Sequence, residues 1–342
     1  MKTILFCQNP YAFGILEPIM NVLKQKGHPY VWFLGKKIKN FPFQEEVFTR
    51  SIGDLISFNA DAIYTPGNEV PYYLRGLKVQ VFHGLAGEKK SHFRIRHYFD
   101  LYLTQGPFFT NKFKQLKKKY KNFEVIETGW PKLDVFGHAK NLYLQEKKEL
   151  LKKYNAKRIV LYAPTFSPSL TSAPYLINEI KELAKNKDYL IIFKFHDLMS
   201  ENLIETYSNL SAESENMIFE TERNIIKYLL LSDIMISDTS SVVYEFLLLD
   251  KPVITFKNNS KIILWDDSKK YNDLSSKVKS NLEDDNYKEQ RKLIFESYHP
   301  YNDGKSALRM VSEVENYIEK HGVPEKRKLS LFRKYKINKI FG

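Results

Sequence analysis

The 342-residue chain has one cysteine, Cys7, set in an apolar run, so no internal disulfide can brace the fold. That usage fits a reducing compartment, and Cys7 reads as a small core residue. No stretch approaches the roughly 18 uninterrupted apolar residues of a membrane-spanning helix. After Lys2 only Ile4, Leu5, Phe6 and Cys7 precede Gln8, Asn9 and Pro10, short of the roughly 7 to 15 apolar residues of a secretory signal. A cytoplasmic protein, or one peripheral to the inner face of the cell membrane, is expected. The chain also lacks GxGxxG, GxSxG and HExxH patterns and any pair of aspartates spaced Asp-x-Asp. Gly304-Lys305-Ser306 is not a P-loop, because the first glycine of that motif would fall on His299. No RNP sequence, zinc finger or GXXG loop points to nucleic acid. His92 and His97, beside Arg94 and Arg96, read as a basic surface stretch rather than metal ligands. Neither a metal nor a cofactor is expected.

With 43% hydrophobic residues, 14% aromatics and no long polar tract, two domains can each bury a core. The first 35 residues read strand, loop, helix, strand: Lys2 to Cys7, then about Leu16 to Lys26, then about Tyr30 to Leu34. Short apolar runs follow at Ala62 to Tyr64, Val79 to Phe82, Leu101 to Leu103 and Phe123 to Ile126. A charged helix near 142–154 leads into a second series with strands at Ile159 to Tyr162, Tyr189 to Phe195, Met217 to Phe219, Ile234 to Ile236 and Val253 to Phe256. Strands alternating with helices predict parallel α/β sheets. The expected domains are residues 1–150 on the acceptor side, 151–320 on the nucleotide-donor side, and a basic amphipathic tail at 321–342.

That tail holds much of the net charge of +13. Residues 326–342 contain Lys326, Arg327, Lys328, Arg333, Lys334, Lys336 and Lys339 and no acid, interleaved with Leu329, Leu331, Phe332, Tyr335, Ile337, Ile340 and Phe341. Such a segment suits an anionic membrane surface. A frayed tail, or one docked on the protein itself, has the same composition.

Ligands of open parallel sheets sit beyond the carboxyl ends of the strands. Four segments there carry chemistry. His83 leaves a strand into the loop Gly84-Leu85-Ala86-Gly87-Glu88-Lys89-Lys90, where an imidazole could take a proton from a hydroxyl. His196 leaves a strand of the second series and could stabilise phosphate charge, although Asp197 could equally cap a helix. Ser232 to Pro252 is the most specific signal. A buried strand breaks into Asp238-Thr239-Ser240-Ser241 and starts a helix bearing Glu245, the arrangement of an anion-binding turn. Lys305 and Arg309 lie at i and i+4 on one helix face.

Together these segments resemble the CDP-glycerol glycerophosphotransferase family, the teichoic acid primases and polymerases. The match runs in order through Val81-Phe82-His83-Gly84, Thr128-Gly129-Trp130-Pro131-Lys132-Leu133-Asp134, Leu161-Tyr162-Ala163-Pro164-Thr165-Phe166, Lys194-Phe195-His196, Ser232 to Pro252, and Asp303-Gly304-Lys305-Ser306 with Arg309. The resemblance implies a GT-B-like fold of two facing Rossmann-like domains with a C-terminal helix. It implies transfer of a glycerol or related alditol phosphate from a CDP-activated donor to a hydroxyl of a glycan or lipid-linked acceptor, with CMP released. His83 would then be the base. His196 would bind the donor phosphates, as would Thr165, Asp238, Thr239, Ser240, Ser241 and Glu245, with Lys305 and Arg309 adding positive charge. The sequence departs from the family where Leu85 and Ala86 follow His83-Gly84, and where Thr239, Asp197 and Glu245 stand. Glu245 is also how nucleotide-sugar glycosyltransferases and UDP-N-acetylglucosamine 2-epimerases end this motif. Those two, and a non-catalytic carbohydrate-binding protein, are the competing readings.

Overall fold

The computed structural model describes residues 1–85, 92–138, 141–222 and 224–341. The chain forms two compact units, Met1–His138 with Ser297–Gly342, and Ala139–Glu296.

In the first unit, seven strands form one parallel sheet: β1 Thr3–Cys7, β2 Tyr30–Leu34, β3 Phe48–Thr49, β4 Ala62–Thr65, β5 Leu77–Gln80, β6 Leu101–Thr104 and β7 Glu124–Glu127. Their order is β3-β2-β1-β4-β5-β6-β7, so the winding reverses between β1 and β4. Every residue of β1, β4, β5 and β6 is buried, the pattern of strands covered on both faces, which is why all but β5, with Lys78 and Gln80, read as largely apolar runs. Cys7 is fully buried, as expected.

The second unit repeats the plan with β8 Arg158–Tyr162, β9 Tyr189–Lys194, β10 Met217–Glu220, β11 Ile234–Ser237, β12 Val253–Phe256 and β13 Asp266–Ser268. The order is β10-β9-β8-β11-β12-β13, and the reversal falls between β8 and β11. The short strands β3 and β13 escaped the sequence reading, because two or three residues give no periodicity to detect.

The expected boundary near residue 320 is corrected. The helix Ser306–His321 packs in the first unit, against the helix Phe13–Gln25. Its buried stripe is Ala307, Met310, Val311 and Val314, spaced as one face of a helix. The Asp134 carboxylate caps it, accepting from Ser306 N at 2.8 Å and Ala307 N at 2.7 Å. His299 Nε2 accepts from Trp130 N at 2.9 Å, and burial pushes this histidine down to about 4. Gly129 and Gly137 lie so close to this segment that a Cβ would overlap Ser306 Oγ and Gly304 N respectively. The Thr128–Asp134 motif is thus the socket into which residues 299–306 lock.

The tail is also docked. Arg327 donates to Asp100 and to the carbonyls of His97 and Asn122. On the helix Leu331–Phe341, Ile337 is fully buried and the Phe341 ring meets Phe6 edge-on at 5.5 Å. Leu331, Phe332 and Tyr335 face solvent, at 83%, 77% and 68% exposure. Among the described residues, no helix is long and apolar enough to cross a membrane.

Candidate functional site

In the second unit the winding reversal brings the ends of β8 and β11 side by side, and one carboxylate ties them. Asp238 Oδ1 accepts from Thr165 N at 2.8 Å, while Oδ2 accepts from Ser172 N at 2.8 Å and Ser172 Oγ at 2.9 Å. Ser237 Oγ adds a bond to Ala163 O at 2.7 Å. Asp238 is fully buried, and that burial pushes its carboxyl up to about 6 against the pull of those hydrogen bonds. This corrects its expected role as a phosphate ligand. A buried carboxylate with both oxygens engaged offers an anion no donor and only repulsion.

What Asp238 does is fix the turn beside it. Asn258 Nδ2 holds the Asp238 carbonyl at 2.8 Å, and Thr239 Oγ1 accepts from Asn259 N at 3.0 Å. Thr165, Thr239, Ser240 and Ser241 remain partly exposed on the surface of this turn. Glu245 lies in the first turn of the helix Val242–Leu247 and is 4% exposed, so little of its carboxylate meets solvent.

His196 follows β9 in the same unit and is exposed, with the Phe166 ring 4.5 Å from its own. Leu198 N donates to its Nδ1 at 3.1 Å. Since Nδ1 accepts, the proton of the neutral ring sits on Nε2. Partial burial lowers the His196 pKa, so near neutrality it presents an N–H donor rather than a charge.

In the first unit His83 shows the opposite tautomer. Its Nδ1 lies 3.0 Å from Pro66 O, an acceptor only, so Nδ1 carries a proton and, in the neutral ring, Nε2 the lone pair. The residue is exposed beyond β5, its ring 5.5 Å from that of Tyr11. The chain reaches it through Phe82, whose φ of 60° is a left-handed conformation that a bulky side chain rarely adopts. Such strain, about 1 to 3 kcal/mol, persists where the surroundings enforce it; the Phe82 ring is clamped against His92, Tyr102 and Phe113. The sequence reading missed Gln80, which is 3% exposed and donates from Nε2 to Thr65 O and Pro66 O, both at 3.2 Å. It fixes the carbonyl that orients His83. A glutamine in an otherwise buried strand was the available signal. The loop residues Ala86 to Lys90 lie outside the described residues.

Lys305 and Arg309 belong to this first unit, not to the donor side. Lys305 is exposed. Arg309 is spent internally: Nε donates to Thr128 O at 2.7 Å, Nη1 to Asp303 at 2.6 Å and Nη2 to Ser306 Oγ at 3.2 Å, and its guanidinium covers Tyr301 at 4.3 Å. It braces the socket. Among the described residues no group of three or more His, Cys, Asp or Glu side chains converges as metal ligands would.

Two doubly wound parallel sheets, each with polar groups beyond its strand ends, define an α/β fold whose ligands sit at those ends. The profile of the family described as CDP-Glycerol:Poly(glycerophosphate) glycerophosphotransferase matches residues 76–262, just over half of the 342 residues. The chain belongs to that family. The teichoic acid poly(glycerol phosphate) polymerase of Bacillus spizizenii is 30% identical over 178 residues, covering 49% of this chain and 43% of the relative. The poly(ribitol-phosphate) polymerase of the same organism is 31% identical over 143 residues, covering 39% of this chain and 22% of the relative. This chain therefore spans less than half the length of either protein. The solved wall teichoic acid polymerase TagF has the same fold, with a TM-score of 0.69 at 18% identity over 93% of this chain and 89% of that one.

Proposed function

We propose that this chain transfers a glycerol phosphate, or a related alditol phosphate, from a CDP-activated donor to a hydroxyl of a glycan or lipid-linked acceptor. The observation that carries the reading is the His83 tautomer: with Nδ1–H on Pro66 O, Nε2 holds the lone pair a general base needs. In the reaction the acceptor oxygen bonds to the phosphorus that bears the alditol. The bond from that phosphorus to the bridging oxygen breaks, CMP leaves, and the hydroxyl proton passes to His83 Nε2. On the second unit, His196 Nε2–H and the turn Thr239-Ser240-Ser241 with Thr165 supply neutral donors to the diphosphate, the electrostatic assistance phosphoryl transfer chiefly needs. Glu245, at 4% exposure, is too buried in this structure to be given a ribose. The CDP-glycerol description of the matching family supports a CDP-linked donor, and a histidine-to-asparagine variant of TagF has been soaked with CDPG.

Calorimetric titration with CDP-glycerol, CDP-ribitol and UDP-sugars tests the donor. Binding of a CDP-alditol is expected, and His196→Ala should weaken it roughly tenfold, the value of a hydrogen bond to a charged group. Selective binding of a UDP-sugar would instead establish the nucleotide-sugar reading that Thr239 and Glu245 raise.

We further propose that the first unit rests on an anionic membrane surface at the cytoplasmic side. Leu331, Phe332 and Tyr335 project outward, flanked by exposed Lys326, Lys328 and Lys339. Removing residues 326–342 is a poor test, because it also pulls Arg327 and Ile337 out of the fold. The variant Leu331→Asp/Phe332→Asp should keep the wild-type melting temperature and lose roughly tenfold or more in binding to phosphatidylglycerol vesicles, given about 0.8 kcal/mol per buried methylene. Unchanged vesicle binding would dismiss the membrane face.

A further inference from the structure

Close to His83 the first unit has a cleft that the donor chemistry leaves unused. It is a shallow cleft lined by Asn68, Gln80, Phe82, His92, Arg94, Arg96, Phe99 and Tyr102, and it opens to solvent. Its floor is narrow and admits a water-sized group. Asn68 lies two residues after Pro66, the anchor of His83, and Phe82 immediately precedes it. The cleft and the base are therefore held by the same two loops.

Its chemistry is that of an anion site. Arg94 is exposed on the wall and Arg96 is half-buried beside it. His92, expected on a basic surface, lies instead under Phe82 with the two rings stacked at 5.0 Å, and its Nε2 is buried without a hydrogen-bond partner among the described residues. Burial pushes this histidine down to about 3, so the ring is neutral. A buried ring nitrogen left unmet costs about 1 to 3 kcal/mol, which an oxygen seated on the floor would recover. Arg96 is not idle: its Nη1 donates to Arg94 O at 3.3 Å and the Glu69 charge acts on it, while Glu69 also pairs with Lys336 of the tail helix at 3.1 Å. Arg333 of that helix donates to the Arg96 carbonyl, so the cleft is also braced against the helix that carries the outward apolar face.

We propose that this cleft is the acceptor-phosphate subsite: one oxygen of the acceptor's terminal phosphate sits on the floor and the others lie between Arg94 and Arg96 at the mouth. This rests on His83 being the base. A lipid-linked alditol phosphate would then enter from the membrane face, with its anion fixed here and its terminal hydroxyl at His83 Nε2. Asn68 supplies a neutral amide, and the buried Phe99 and Tyr102 complete the lining.

The test uses the full chain with sn-glycerol 3-phosphate as the acceptor-terminus probe, inorganic phosphate as a second anion, and CDP-glycerol in parallel. Glycerol 3-phosphate should bind the wild type and bind Arg96→Gln and Arg94→Ala roughly tenfold more weakly, as expected for loss of one charge-assisted hydrogen bond. CDP-glycerol affinity should stay within about twofold, since its groups are on the other unit. Arg94 is exposed, so Arg94→Ala keeps the comparison valid if Arg96→Gln fails to fold. No binding to the wild type, or wild-type affinity in both variants, overturns the subsite. Equal loss of phosphatidylglycerol vesicle binding in both variants would overturn the acceptor assignment and give the arginines to lipid headgroups. Failure of CDP-glycerol to bind would count against the transferase reading alone, because glycerol 3-phosphate binding is read independently.

Discussion

His83→Asn should lower CMP release from CDP-glycerol with a lipid-linked acceptor by roughly 10²- to 10⁴-fold, the usual contribution of a positioned general base. The asparagine amide can still donate to Pro66 O, so the loop keeps its anchor while the proton acceptor at Nε2 disappears. His83 is exposed, and the melting temperature and CDP-glycerol affinity should stay at wild-type values. Loss confined to turnover is the signature. A variant retaining more than about a tenth of wild-type turnover would remove His83 from the chemistry. A parallel fall in melting temperature would mean that the Pro66 bond is structural.

The second large effect is on stability. Asp238→Ala leaves Thr165 N, Ser172 N and Ser172 Oγ without their acceptor in a buried site, and should cost about 2 to 4 kcal/mol by denaturant titration. The wild type also carries a pH signature. The carboxyl rises from its ordinary 3.8 to about 6 on folding, so the folded state binds this proton more readily than the unfolded chain does. Below about 4 both states are protonated and the group is neutral in the balance. As pH rises through 6 the folded state must ionise a buried acid, and about 3 kcal/mol is lost in full above that value. Asp238→Asn does not titrate and should lack that decline. If Asp238→Ala kept full stability and lost only donor affinity, Asp238 would be a ligand after all.

How much was legible in advance divides along physical lines. Most of the buried strands announce themselves, because a parallel strand covered on both faces is mostly apolar; β5, with buried Lys78 and Gln80, is the exception. His83 and His196 were found by the same logic, since whatever follows such a strand lies at the ligand end of the sheet. The tautomers were not legible. They depend on Pro66 O for one ring and Leu198 N for the other, and the first of these comes from a different strand end. Asp238 shows the same limit more sharply. Its place in a Ser/Thr-rich turn suggested an anion ligand, yet the Thr165 and Ser172 donors that define its role are brought to it by the pairing of β8 with β11.

The sequence by itself determined two α/β units, the position of His83 and His196 just beyond strand ends and the family resemblance, because local hydrophobic period and motif order are properties of the chain alone. Only the tertiary structure decided that residues 297–321 return to the first unit, that Arg309 and Asp238 are braces, that the basic tail is docked with one face outward, and that His92, Arg94 and Arg96 share a cleft near His83. Each of those outcomes depends on a hydrogen bond or a packing contact between segments far apart in the chain. No local pattern encodes such a partner, and a polar side chain takes its role from the partner it meets.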